Sequence, residues 1–237
     1  MNVLIACEES QRVCISFRER GHNAFSCDIQ ECSGGHPEWH IQGDVLEILN
    51  PREEYNIMWQ HDYTESIQFQ TMDGTWHKIP KWDLIIAHPP CTFLTNTGNR
   101  WFDVKRYGEK ARERYIERLK AADFFMIFVN ADCKRVAIEN HIGYMSTAYR
   151  KPDQIIQPFQ FGHPTRKATC LWLKGLPPLI PTDVVQVDNY DYYEYTAKNG
   201  KKKHDAKSRC SGSKSEWAKN RSKTYWGIAR AMAEQWG

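Results

Sequence analysis

No stretch of this 237-residue chain approaches the ~18 consecutive apolar residues that a membrane span requires. The opening MNVLIACEES also lacks the charged, apolar and small-residue regions of a secretory signal peptide, so a cytoplasmic location is expected. No internal repeat is present, and low complexity is confined to one lysine-rich run. The eight cysteines, at 7, 14, 27, 32, 91, 133, 170 and 210, are too dispersed for a disulfide scaffold in a chain this long and are expected to be reduced thiols. A formal charge of only +3 carries no chain-wide signature of nucleic-acid binding. Glycine is absent from Ala6-Cys7-Glu8-Glu9-Ser10-Gln11, the turn after the first apolar run.

What is present describes one globular domain with an insertion. With 41% hydrophobic and 13% aromatic residues, the chain can bury one full core and carry a small appended subdomain. Val3 to Ala6 reads as a strand, Gln11 to Arg20 as a helix stopped by Gly21, and NAFSCD as a second strand closing on Asp28. This βαβ opening is the order in which parallel α/β sheets build a nucleotide site. Between Asp62 and Lys78, two alternating runs joined through Asp73-Gly74 predict a surface hairpin, an insertion at about 60–80. WDLIIA returns to the core with a buried strand over 83–87, after which Pro89 and Pro90 forbid further pairing.

From Glu109 to Asn130 the apolar positions Tyr115, Ile116, Leu119, Ala122, Met126 and Val129 recur at helical spacing and predict a helix packed on the sheet. Strands are expected at Arg135–Glu139 and 168–173, and a last helix over Thr224–Trp236 buries Ala229, Met232, Ala233 and Trp236. The alternation predicts an α/β fold with a doubly wound, mostly parallel sheet. Residues 1–174 then form the core, 175–221 a loop-rich excursion, and 222–237 a helix returning to the core. The excursion holds the tyrosines 190, 192, 193 and 195. Lys198 to Lys223 then carries ten Lys or Arg against two acids.

Three strand ends carry polar signals: Asp28, Cys91 after WDLIIAHPP, and Glu139 after RVAI. In a parallel sheet all three tips lie on one edge, so residues distant in sequence can meet in one pocket. Taken singly, a Cys after a buried strand is more often a small buried hydrophobe, and a Glu before a helical stretch an N-terminal acid.

The combination resembles the DNA cytosine-5 methyltransferases, especially the short forms of phages and prophages, over most of the chain and in the family's motif order. Pro90-Cys91 with Thr95 looks like the Pro-Cys nucleophile loop, and Ile138-Glu139-Asn140 looks like the Glu-Asn motif. Arg166 in RKATCLWL resembles the arginine motif near a flipped base. SKTYWGIARAMAEQWG resembles the C-terminal helix that completes the cofactor site.

The resemblance implies a Rossmann-like, S-adenosylmethionine-dependent fold. Its implied cofactor site comprises Ala6, Cys7, Glu8, Ser10, Asp28, Ile29, Asp44, Val45, His88, Pro89, Ser222 and Thr224. Cys91, Glu139 and Arg166 are the implied catalytic residues. Pro90, Thr95, Asn140, Lys167, Lys201, Lys202, Lys203 and Arg209 are the implied contacts to a cytosine-containing DNA, with no metal. The family opening usually carries glycines where this chain has none.

The chemistry explains the residue types. Cytosine carbon 5 is too weak a nucleophile until a thiolate adds to carbon 6. Nitrogen 3 then needs a proton, which suits a buried Glu with a raised pKa, and oxygen 2 needs a cationic donor. Three alternatives stay open. One is an inactive methyltransferase-like phage protein that binds nucleic acid or a host factor. Another is methylation of a free nucleotide or an exocyclic amino group. The third is a zinc site from Cys27, Cys32, His36 and His40.

Overall fold

A computed structural model describes residues 1–49, 66–187, 192–196, 200, 202–206 and 222–237. The start of the expected insertion, Tyr190, Lys201, Arg209 and most of the lysine-rich run lie outside the described residues.

Seven strands form one mixed sheet in the order β3-β2-β1-β6-β7-β9-β8. They are β1 (Asn2–Ala6), β2 (Asn23–Asp28), β3 (His40–Gln42), β6 (Leu84–Ala87), β7 (Val136–His141), β8 (Gln154–Ile156) and β9 (Thr169–Lys174). The first five run parallel. β9 is antiparallel to β7, and β8 is antiparallel to β9.

The apolar runs of the central strands are continuous because both faces are covered. Val3, Ile5, Leu84, Ile86 and Ala137 pack under α1 (Arg12–Glu19) and α6 (Trp226–Trp236), whose Trp236 is fully buried. Leu4, Ala6, Ile85, Ala87, Val136 and Ile138 face the opposite core, shared with α2 (Leu46–Leu49) and α4 (Glu109–Val129). The expected hairpin forms as β4 (Ile67–Gln70) and β5 (Trp76–Ile79), with Phe69 and Ile79 buried in that second core. Within the excursion, β10 (Tyr192–Thr196) and β11 (Lys202–Ala206) make an antiparallel hairpin where a loop was expected. Among the described residues, no helix is long and apolar enough to cross a membrane.

Two expectations need correction. The strand bearing Glu139 does not stop there. β9 pairs with β7 along its full length, up to His141↔Thr169, whereas the parallel neighbour β6 stops at Ala87↔Ile138. Glu139 and Asn140 therefore sit inside a strand, not in a loop. In α4, Tyr115, Ile116 and Leu119 are 47%, 55% and 49% exposed, while the buried positions are Ala111, Arg118, Phe125 and Phe128. A 21-residue helix is about 30 Å long and outruns strands of three to six residues. Its first half covers the loop after β6 instead of the sheet. A short turn of helix, α3 (Val104–Tyr107), leads into it, and another, α5 (Met145–Ala148), follows β7.

Candidate functional site

The chain leaves β1 toward β2 and β3 on one side and later fills β6 and β7 on the other. This is a topological switch between β1 and β6, and loops diverging at such a point leave a crevice at the strands' carboxyl ends.

The loop leaving β1 holds two non-glycine residues in the left-handed region, Cys7 at φ 59° and Gln11 at φ 58°. Each costs on the order of 1–3 kcal/mol and persists only where neighbours enforce it. Glu8 enforces it by accepting from the N–H groups of Val13 (2.8 Å) and Cys14 (3.2 Å) at the start of α1. The Gln11 side chain donates to the His36 carbonyl (2.8 Å) and accepts from its N–H (3.0 Å). Side-chain hydrogen bonds thus hold the turn that glycines would otherwise allow. Glu8, expected at a cofactor, is buried with both oxygens engaged in this scaffold, as is Ser10, which donates to Glu8. Glu9 is different: it is buried, and neither carboxylate oxygen has a hydrogen-bond partner among the described residues.

Asp28 closes β2, and its carbonyl accepts from Gly43 N–H (3.0 Å), which brings the Gly43-Asp44 turn beside it. Cys7, Cys27, Asp28 and Asp44 are close enough for the two carboxylates to help burial raise the thiol pKa of both cysteines, Cys27 to about 12. Val45 is buried in the core, whereas Ile29 is 76% exposed.

The loop leaving β6 runs His88-Pro89-Pro90-Cys91. It is fastened to β7 and the turn beyond it at four points. His88 Nδ1 lies 3.1 Å from Glu139 Oε2, and Asn140 donates from Nδ2 to the Pro89 carbonyl at 2.9 Å. Tyr144 N–H donates to Leu94 O at 2.7 Å and Asn96 N–H to Ile142 O at 3.3 Å, which bridges Thr95 to Gly143. Half-buried Cys91 begins a tight turn, its carbonyl accepting from Leu94 and Thr95 N–H. From the other side α4 holds the next two carbonyls: Arg114 donates to Thr92 O (3.3 Å) and Arg118 to Phe93 O (2.9 Å). Arg118 is buried against Phe102, its guanidinium 3.4 Å from the ring centroid. Sequence reading missed both arginines, because only the i, i+4 spacing on a charged helix announced them.

His88 and Glu139 side chains are 10% and 20% exposed. Burial by itself would make both groups neutral. Their hydrogen bond and opposite charges override it, so the His88 pKa is raised above its ordinary 6.5 and that of Glu139 lowered below 4.5. The expectation of a raised pKa at Glu139 is therefore corrected, and its cause is the imidazole beside it.

The raised His88 pKa adds stability that is full below pH 6.5 and is lost as pH rises through the folded value. The lowered Glu139 pKa adds stability that is present above pH 4.5 and is lost as pH falls through its folded value. The pair thus stabilises most between these limits. Glu139→Gln is expected to cost about 2 kcal/mol at pH 6, less than a fully buried broken pair because water retains some access. The cost should shrink by pH 8.5. Thermal melts at the two pH values check this, and an equal loss at both would contradict it.

Besides the imidazoles of His88 and His141, the charge that reaches Glu139 is that of Lys167, whereas Arg166, the expected donor, is exposed. Glu139 and Lys167 line a small pocket with Ser222, Thr224 and Tyr225 from the C-terminal segment, so residues from three distant stretches meet there, and His88 reaches the same Glu139 from a fourth. Lys202 lies exposed on β11, paired with Thr196, and Lys203 is the next ladder position. The zinc alternative has no matching geometry. Cys27 is buried in β2, His36 stacks on Trp39, and His40 is held by Ser26 and the Gln30 carbonyl. Among the described residues no three His, Cys, Asp or Glu side chains gather as a metal set.

Compared with known proteins, the chain matches no protein-family model and no curated protein sequence.

Proposed function

We propose that the protein is an S-adenosylmethionine-dependent methyltransferase acting on carbon 5 of cytosine in DNA, with Cys91 as nucleophile and Glu139 as the group facing ring nitrogen 3. The observation that supports this reading is the fastening of the Pro-Pro-Cys loop to β7 through His88–Glu139 and Asn140–Pro89, which ties the loop of Cys91 to the strand of Glu139. Burial raises the pKa of Cys7, Cys14, Cys27, Cys133 and Cys170, so those sulfurs are kept as thiols, whereas half-buried Cys91 stands on the loop that is fastened to the strand of Glu139.

The residues fit the cofactor. A buried carboxylate with no hydrogen-bond partner among the described residues, Glu9, would be satisfied by an ammonium group, and Asp28 at the tip of β2 would take ribose hydroxyls. Ser222 and Thr224 would close the same crevice. When bound, this group supplies an electrophilic methyl.

The protein's part is to add the Cys91 sulfur to carbon 6, so that carbon 5 becomes nucleophilic, and to neutralise the charge that develops at nitrogen 3 and oxygen 2. Glu139 serves the first of those atoms, and Lys167 supplies the nearby positive charge. The proton on carbon 5 is then lost to water, its bonding pair re-forms the 5,6 double bond as the carbon 6–sulfur bond breaks, and the ring and the free thiolate are restored. Arg166 and the lysines of the 198–223 run are left for phosphate contacts.

Mass spectrometry of DNA incubated with the protein and S-adenosylmethionine tests the reading. 5-Methylcytosine is expected. N4-methylcytosine or N6-methyladenine would instead establish amino-group chemistry through the Pro-Pro loop, and no methylated base at all would leave a binding protein.

A further inference from the structure

Glu139 meets a difficulty in the role just given to it: nitrogen 3 requires a proton, and the carboxylate facing it is held in its ionised form. A proton source stands one hydrogen bond away. His88 Nδ1 is 3.1 Å from Glu139 Oε2, in a pair mostly shielded from water. The charged groups around the pair come from every side. Glu8 acts on the imidazole from the loop after β1, and His141 acts on Glu139 from two positions along β7. Lys167 acts from the segment ahead of β9. The acid on the β1 side favours a protonated imidazole, and the lysine favours an ionised Glu139. His88 Nε2 is buried with no hydrogen-bond partner among the described residues, so nothing there competes for the ring's position.

We infer that His88 is the positioning residue that stores the proton for Glu139, the two side chains sharing one proton across the Nδ1–Oε2 contact. The inference rests on the cytosine reading. As the Cys91 sulfur bonds to carbon 6, the His88 Nδ1 proton passes through the Glu139 carboxylate to nitrogen 3, which binds it with the displaced ring electrons. His88 ends neutral, Glu139 ends as a carboxylate, and the thiolate charge is consumed in the adduct. When the sulfur leaves, the proton returns along the same path. A Glu139 without His88 would have to take its proton from water at each turnover, which a buried carboxylate manages only at lower pH.

Two measurements test this. Long-range proton–nitrogen NMR spectra of the histidine rings, with His88 assigned through His88→Asn, follow its titration in the wild type and in Glu139→Gln. The wild-type midpoint is expected to lie higher by about one pH unit or more. Coincident midpoints would overturn the inference, whatever the protein's activity.

The second is the pH dependence of methyl transfer. Asn keeps an N–H donor for Glu139 but has no proton to release. His88→Asn is therefore expected to lower kcat about tenfold at pH 8 with KM within about threefold, and to recover toward pH 6. A loss independent of pH would mean that His88 only holds the loop, and would overturn the inference. If the wild type forms no 5-methylcytosine, the cytosine reading falls while the NMR comparison still decides whether the proton is shared.

Discussion

Cys91→Ala is expected to abolish 5-methylcytosine formation, by about a thousandfold or more, while calorimetric binding of S-adenosylmethionine and the melting temperature stay close to wild type. The size follows from chemistry. Without the covalent adduct carbon 5 has no nucleophilic character to offer, and the remaining contacts only hold the base in place. Of the other described thiols, Cys14, Cys27, Cys133 and Cys170 are buried, the Cys7 sulfur is held as a thiol by burial beside Asp28, and half-buried Cys32 lies on the loop after β2, not on the loop fastened to the Glu139 strand. The fold should tolerate the change because half-buried Cys91 holds its turn through its backbone carbonyl, which alanine keeps. Unchanged turnover in this variant would end the cytosine carbon-5 reading.

The second large effect is expected at Gly143. This residue lies where the turn after β7 crosses the loop after β6, bridged to Thr95, and a methyl group at its Cβ position would fall onto the Leu94 carbonyl oxygen. That oxygen also accepts from Tyr144 N–H, so it cannot move without breaking the contact that ties the two loops. Gly143→Ala is expected to destabilise the protein by about 3 kcal/mol, the upper part of the range for overpacking. For a chain of this size that lowers Tm by about 6–12 °C. Activity should fall further than stability explains, because the segment pushed aside begins three residues after Cys91, and misplacing a reacting group by ~1 Å costs about a hundredfold. A melting temperature within about 2 °C of wild type would show that the loops are not locked together in this way.

Much of the framework was legible before any coordinates. The apolar runs at Val3–Ala6 and 83–87 are continuous because both sheet faces are covered, and Asp73-Gly74 marks its hairpin because a tight turn needs a residue tolerant of positive φ, as Gly74 shows at 87°. The last helix buries the four residues its spacing selected. The site was legible only as a set of candidates at strand tips.

What the sequence alone determined is local. Periodicity, breakers and turn chemistry assign strands and helices, and the alternation of those elements sends Asp28, Cys91 and Glu139 toward one edge of a mostly parallel sheet. The partners were settled by tertiary structure, because they depend on strand register and packing between residues 25 to 51 positions apart. The antiparallel β9 carries β7 on to His141 and so puts Glu139 inside a strand, opposite Leu171 and against His88. The overhang of α4 exposes Tyr115, Ile116 and Leu119 and buries Arg118 under the loop of Cys91. A carboxylate's protonation follows from the charges within a few ångströms, and no spacing along the chain reveals which imidazole will stand there.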